Sequence, residues 1–353
     1  MTSVRIHASR RYEVSIQQGL LDRAGELLRP LSRAEAVCVV SGERVWPLYG
    51  ARLTHSLEAA GFRVPHFIHP SGEEHKNLET YGALLGFLAE QGLSRSDLIV
   101  SLGGGVTGDL AGFAAATYQR GLDYVQIPTS LLAMVDSSVG GKTAVDLPQG
   151  KNLVGAFWQP LAVLCDPRLL ETLPEEELRC GAAEVAKYAV LRDEDLFCEL
   201  EKSGLAAACT EETIARCVSV KRDLVEEDEF DRGSRRLLNL GHSFGHAVEL
   251  CSGYALRHGQ AVSVGLAMIA RAAAKQGVCS PETAERIASL LEKLGLPTET
   301  EIGRERLLAA LLHDKKRSGE TLPLILPEEI GRCRVEPTPV ERLEDWLRLG
   351  GAK

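Results

Sequence analysis

Up to about residue 167 this chain alternates short β-branched runs with longer amphipathic stretches, and beyond that point the strand pattern nearly stops. This change of period constrains the fold more than any other feature, because a period of two belongs to a sheet and one of 3.6 to helices. Residues 36–41, 63–68, 97–102 and 124–127 read as strands, with helical patterns over 46–60 and 78–90 between them. Val4 and Ile6, then Tyr12, Val14 and Ile16, alternate as an opening strand pair. Strands separated by helices imply a largely parallel sheet with right-handed crossovers, which binds ligands beyond the carboxyl ends of its strands. From Leu169 to Leu349 helical spacing of Ala, Leu, Glu and Arg takes over, and Thr172, Leu173 and Pro174 look like the start of the next helix. The expected architecture is an α/β N-terminal domain over 1–168 followed by an all-α C-terminal domain over 169–353. Two domains also suit the length of 353 residues, since single cores stop growing near about 250–300 residues.

Charge narrows the partners. Forty basic and 49 acidic residues leave a net charge of −9, a field that repels phosphodiester backbones and anionic membrane surfaces. Nucleic acid and membrane are therefore not expected. No apolar run reaches the ~18 residues of a membrane span, and the first nineteen residues lack the apolar core of a signal segment. Nine cysteines without a C-x-x-C pair suit a reducing compartment, so the expected location is the cytoplasm.

The segment DLIVSLGGGVTGDLAGFAA carries Gly103, Gly104, Gly105 and Gly108 between a strand and a helix. Bare backbone amides at a helix N-terminus can approach a pyrophosphate there. The acid usual about 20 positions on is missing from YVQIPTS, and a turn that merely packs a helix on a strand stays open as the alternative. VDSSVGGKT is no phosphate-binding P-loop, because Asp136 stands where its first glycine is required. Its Asp136, serines, Gly140, Gly141 and Lys142 still suit ribose hydroxyls and an anion, and Glu73 and Lys76 of PSGEEHK offer a further loop after a strand.

In the second half His242 and His246 lie at i, i+4, His258 follows, and Glu184 precedes Lys187 by three. Spacing alone selects His242 and His246 as joint ligands. Three nitrogen and oxygen donors with an open fourth position suit catalytic rather than structural zinc, although each histidine taken singly is as readily a core or surface residue. Lys187, Lys221, Arg235, Arg236, Asn239 and the run 313–317 add cations and polar groups. Such runs are usually solvated faces, but in an acidic chain with a His/Glu cluster they point to an anion pocket.

Seven segments, SLGGGVTGDLAGFAAATYQRG, IPTSLLAMVDSSVGGKTAVD, GKNLVGAFWQP, GAAEVAKYAV, RLLNLGHSFGHA, HGQAV and DKK, stand together and in order. In this the chain resembles the 3-dehydroquinate synthase family of sugar phosphate cyclases. The resemblance implies a Rossmann-like NAD-binding domain and a helical metal- and substrate-binding domain. It implies zinc, or cobalt, on Glu184, His242 and His258, so that His246 faces substrate as the proton shuttle. NAD contacts would come from Glu73, Lys76, Gly104, Gly105, Asp109, Thr129, Ser130, Asp136, Lys142, Lys151 and Thr172. Substrate contacts would come from Asp136, Lys142, Asn152, Lys187, Lys221, Arg235, Asn239, His246 and one of Lys315 and Lys316. Arg120 would reach the phosphate from the other subunit of a homodimer. The implied reaction is a lyase reaction on a small sugar phosphate. It turns 3-deoxy-D-arabino-heptulosonate 7-phosphate into 3-dehydroquinate, in the shikimate route to chorismate and the aromatic amino acids, with NAD used catalytically. Three positions depart from the family: Gln260 and Asp231, where glutamate is usual, and Gly42, where aspartate is frequent. Gln260, beside a proposed ligand, is expected to weaken that ligand's support. The rivals are a sister cyclase such as 2-deoxy-scyllo-inosose synthase, a metal-dependent polyol dehydrogenase, and a catalytically inactive binding protein.

Overall fold

The computed structural model describes residues 1–253, 255–312 and 319–353. The chain divides into two compact units, Met1–Leu173 with Ile214–Phe230, and Pro174–Thr213 with Asp231–Lys353.

In the first unit the strands are β1 (Thr2–His7), β2 (Arg11–Ile16), β3 (Val37–Gly42), β4 (His66–His69), β5 (Leu98–Gly103), β6 (Asp123–Pro128), β7 (Lys142–Leu147), β8 (Gly150–Phe157) and β9 (Ala162–Cys165). Seven of them form one sheet in the order β1-β2-β9-β6-β5-β3-β4. β1 and β2 pair antiparallel, and the remaining pairs are parallel. All six residues of β3 and of β5 are buried, as parallel strands covered on both faces must be. Helices α1 (Ala24–Leu28), α2 (Trp46–Ala59), α3 (Leu78–Glu90) and α4 (Gly105–Thr117) connect the strands. Leu84, Leu88, Leu110 and Ala114 of α3 and α4 share a core with Val40 and Ile99 of the sheet. This is the expected parallel sheet with its opening strand pair, joined through β9, a strand that the sequence pattern did not single out. Pro65, which has no N–H to give a ladder, defers β4 to His66.

β7 and β8 form a separate antiparallel hairpin that the sequence reading did not include. It lies in the glycine- and serine-rich stretch that had been read for its chemistry alone. A fully buried carboxylate, Asp166, accepts from the backbone N–H groups of Gly19, Leu21 and Arg168 at 2.9–3.1 Å. It thereby joins the loop after β2 to the 3₁₀ turn Pro167–Thr172.

The later helices are α5 (Glu175–Arg192), α6 (Glu194–Ser203), α7 (Leu205–Ala208), α8 (Glu211–Glu227), α9 (His242–Cys251), α10 (His258–Lys275), α11 (Pro281–Lys293), α12 (Arg304–Leu312) and α13 (Leu343–Gly350). Most of α8 belongs to the first unit. There Glu226 accepts from the His7 N–H at 2.6 Å, and Glu229, just beyond the helix, accepts from Ser9 and Gln159.

The second unit is helical, as expected, with one addition: β10 (Thr321–Glu329) and β11 (Arg332–Pro339) pair as an antiparallel hairpin. Prolines hid it, because a proline inside an apolar run argues against a strand. Here Pro323 stands opposite Pro337, in a two-stranded ribbon that tolerates the missing donors. α10 is buried along most of its length and packs against α5, α9, α11 and α13. Two glycines permit the close approach. A Cβ on Gly265 would stand 2.1 Å from the Gly241 carbonyl oxygen and 2.4 Å from the Gly245 nitrogen, and one on Gly259 would stand 2.3 Å from the Cys180 carbonyl oxygen. α10 therefore meets the N-terminal end of α9 and the first half of α5 at backbone contact.

Candidate metal centre and nucleotide turn

Those contacts decide which side chains meet. Glu184 sits mid-α5, while His242 and His258 are the first residues of α9 and α10. Gly241 precedes His242 in the left-handed region (φ 75°), which lets the chain enter α9 sharply. The Glu184 carboxylate is 0% exposed, and its Oε1 lies 3.3 Å from His258 Nε2 and 3.5 Å from His242 Nε2. Metal bonds of about 2.0–2.1 Å at tetrahedral angles separate donor atoms by roughly 3.4 Å, so this donor set fits a zinc-sized ion. Its nitrogen and carboxylate chemistry also suits cobalt. His242 Nδ1 lies 3.0 Å from the Leu240 carbonyl oxygen, an acceptor that selects the Nδ1–H tautomer and leaves Nε2 for a metal. Burial works to lower the pKa of His258, but Glu184 and Glu249 outweigh it and hold the ring up at about 9. Lys187 Nζ sits 2.5 Å from the other Glu184 oxygen and is itself 1% exposed. The joint His242/His246 pair suggested by spacing is not what geometry brings to Glu184. His246 is exposed and belongs to a second donor group with Glu249 and His258.

A different cluster forms in the first unit. Buried Lys76 places Nζ 2.8 Å from Glu73, 3.1 Å from Asp109, 3.7 Å from Asp146 and 2.7 Å from Asn152 Oδ1. Lys151 Nζ stands 4.0 Å from Glu73. Five expected residues, Lys76 among them, thus meet in one cluster, with Asp146 as a member that sequence did not single out. Three carboxylates against the central lysine leave negative charge in excess. Burial lifts the Asp109 pKa to about 6 against the pull of Lys76, with Glu73 and Asp146 adding to the rise. Burial opposes the charge on Lys76, yet Asp109, Glu73 and Asp146 together raise its pKa.

Beside the β5–α4 turn, Ser130 and Ser137 approach the glycines: a Cβ on Gly104 would meet Ser130 Oγ at 3.3 Å, and one on Gly105 would meet Ser137 Oγ at 3.3 Å. The Thr129 N–H donates to the Gly103 carbonyl at 3.0 Å. Three motif segments therefore converge at the N-terminus of α4, where free amides favour an anion. Asp136 lies in the π-turn Ala133–Ser137 and is ion-paired with Lys221, whose Nζ also donates to the Asp136 carbonyl at 2.7 Å. The Thr172 hydroxyl meets Tyr49 OH, another partner that sequence reading missed.

The remaining expected residues divide. Lys142 begins β7 and is exposed, as are Arg120 and Asn152. Arg235 is buried in the 3₁₀ turn Ser234–Asn239, and Asn239 there donates to the Arg236 carbonyl at 3.1 Å. Lys315 and Lys316, with the whole run 313–317, lie outside the described residues. Among those described, the non-glycine positions with positive φ are Gln119, Arg120, Asn152 and Asp231. Such backbone strain collects at functional sites, and three of these four had been singled out from sequence. The departure at Gln260 acts elsewhere than expected. Its Oε1 accepts from the Arg257 N–H at 3.0 Å and its Nε2 reaches Glu176 at 3.5 Å, so it caps α10. The carboxylate nearest the rear of His258 is Glu249, missed in sequence although His242, His246 and Glu249 share one helical face.

Residues 66–180 match the profile described as 3-dehydroquinate synthase N-terminal, and residues 181–317 the one described as 3-dehydroquinate synthase C-terminal. A 3-dehydroquinate synthase of Enterococcus faecalis is 44% identical over 345 residues, 96% of each chain. Among solved structures, 2-deoxy-scyllo-inosose synthase complexed with carbaglucose-6-phosphate, NAD+ and Co2+ superposes with a TM-score of 0.88 at 26% identity, covering 98% of this chain and 99% of that one. A 2-epi-5-epi-valiolone synthase from Streptomyces hygroscopicus with NAD+ and Zn2+ bound gives 0.88 at 27% identity, covering 99% and 98%.

Proposed function

The chain belongs to the 3-dehydroquinate synthase family, and from that membership we propose that it converts 3-deoxy-D-arabino-heptulosonate 7-phosphate to 3-dehydroquinate and phosphate. One observation carries the reading beyond family likeness: the Glu184, His242 and His258 donors stand at zinc spacing beside a buried lysine. A bound zinc or cobalt ion supplies a Lewis acid for transient alcohol oxidation, and NAD supplies a hydride acceptor that ends as it began. Glu184, His242 and His258 hold the ion. Gly104, Gly105 and the α4 N-terminus receive the pyrophosphate of NAD, while Glu73, Lys76, Asp109, Lys151, Thr129, Ser130, Asp136, Lys142 and Thr172 serve its remaining polar groups.

Lys142, Asn152, Lys187, Lys221, Arg235, Asn239 and one of Lys315 and Lys316 bind the anionic and hydroxyl groups of the sugar phosphate. The buried guanidinium of Arg235 is suited to a carboxylate or phosphate, because its planar fork donates two parallel bonds. The His246 imidazole, exposed on α9, moves the proton. Arg120 completes a phosphate site in a homodimer. Residues 1–168 act as the nucleotide-binding domain and 169–353 as the metal- and substrate-binding domain. No helix among the described residues is long and apolar enough to cross a membrane, and we place the enzyme in the cytoplasm.

The test is release of inorganic phosphate from 3-deoxy-D-arabino-heptulosonate 7-phosphate with catalytic NAD, before and after chelation. Release that requires both metal and NAD, without lasting NADH absorbance, supports the proposal. Faster turnover of glucose 6-phosphate would move the chain to the sister cyclases, and accumulation of NADH would move it to the dehydrogenases.

A further inference from the structure

Glu249 has so far no role. It is 6% exposed on α9, and a buried carboxylate is costly unless a partner offsets its desolvation. Its Oε2 lies 3.5 Å from His258 Nδ1, on the opposite edge of the ring from the Nε2 that faces Glu184 at 3.3 Å. His242 repeats this arrangement with a different oxygen: Nδ1 at 3.0 Å from the Leu240 carbonyl, Nε2 toward Glu184. Two histidines on separate helices therefore each set the rear nitrogen against an oxygen and the front nitrogen against the same carboxylate.

We propose that Glu249 is a positioning residue, which fixes His258 as the Nδ1–H tautomer and aims its Nε2 at the ion held with Glu184 and His242. The proposal rests on the reading of those three residues as metal ligands. A histidine ligand loses its choice of tautomer when the far N–H is committed to an acceptor, and a carboxylate acceptor also raises the basicity of the ligating nitrogen. On this reading the support of His258 comes from α9 and not from Gln260, two places on, which instead caps α10.

A competing geometry has Glu249 as a ligand. His246, Glu249 and His258 each offer a donor atom, all within 4.8 Å of one another. A second ion there, with the first in place, would strip both protons from the His258 ring and set two dications across one imidazole, against their mutual repulsion.

Metal stoichiometry and affinity separate these cases. Zinc would be titrated into the metal-free chain against a chromophoric chelator, for the parent, Glu249→Gln and Glu249→Leu, with urea unfolding of each metal-free form as a check on folding. Cobalt d–d absorption reports ligand geometry independently of turnover. The expected result is one zinc per chain throughout, with affinity about 10–100-fold weaker in Glu249→Leu and an altered cobalt spectrum. Glu249→Gln retains an acceptor oxygen without the charge and should lose about three- to tenfold. Because it is isosteric, it answers the question even if the leucine variant does not fold. Unchanged affinity in the folded variants overturns the inference, and so does a parent that binds two zinc ions of which Glu249→Leu loses one. A parent that binds no zinc removes the metal reading itself, and this proposal with it.

Discussion

Replacing Gly265 by alanine tests whether backbone contact between helices sets the metal geometry. The new Cβ would stand 2.1 Å from the Gly241 oxygen, 2.4 Å from the Gly245 nitrogen and 2.9 Å from the Gly245 Cα, where ordinary contact begins near about 3.4 Å. The obstacles are all backbone, so no rotamer change relieves them, and α9 and α10 must separate by roughly 1 Å. Overpacking a core typically costs about 1–3 kcal/mol, and a backbone clash belongs at the upper end. Gly241 adjoins His242, whereas His258 opens the helix on the other side of the contact, so the same wedge spreads two donors whose bonds tolerate only about 0.2 Å. Urea unfolding of the metal-free protein should show a loss of about 2–3 kcal/mol, and chelator competition should show zinc bound at least about tenfold more weakly, near 1.4 kcal/mol. Gly86→Ala is the control, since it lies on an exposed face of α3 with nothing within 4 Å of its Cβ. It should gain about 0.5–1 kcal/mol and leave zinc affinity alone. Unfolding within about 0.5 kcal/mol of the parent together with unchanged zinc binding in Gly265→Ala would refute the reasoning.

Two further perturbations address the charge clusters. The folded pKa of Asp109, about 6 against 3.8 for the free group, means that the folded state holds this proton more tightly. That contribution to stability is complete below pH 3.8 and is lost as pH rises through 6. Asp109→Asn should therefore match the parent near pH 4 and exceed it by about 1–3 kcal/mol above pH 7, and a difference in urea midpoint that does not vary with pH would contradict this. Gln260→Glu restores the family's usual residue beside Glu176 and Arg257 on an exposed cap. It should move stability by no more than about 0.5 kcal/mol and zinc affinity not at all, so a severalfold gain in affinity would return Gln260 to the metal site.

The parallel sheet was legible because β3, β5 and β6 are short apolar runs set off by helical periods and glycine, signals that local chemistry carries. The β10–β11 hairpin was not, because its prolines contradict strand propensity and their places become evident only once the two strands pair. At the candidate metal centre, helical spacing tied His242 to His246, yet Glu184 lies 58 residues upstream of His242 and His258 sixteen downstream. Periodicity within one helix carries no information about which helices touch. Family resemblance named Glu184, His242 and His258 together, and the glycine contacts of α10 are why these three side chains stand close. Glu249 and Asp146 were missed for a related reason, since an acid beside a histidine or lysine is noticed only once separate segments are seen together.

The course of the chain through its two units has a consequence for how the protein is made. Residues 214–230 complete the first unit although it is otherwise finished at Leu173, and they bring Lys221 to Asp136 and Glu226 to the amide of His7. A ribosome working at about 5–20 residues per second adds the 57 residues from 173 to 230 in roughly 3–11 s. Throughout that interval the nascent first unit waits for its last helix, without Lys221 beside Asp136. A gene cut after codon 173 would leave it in that state permanently.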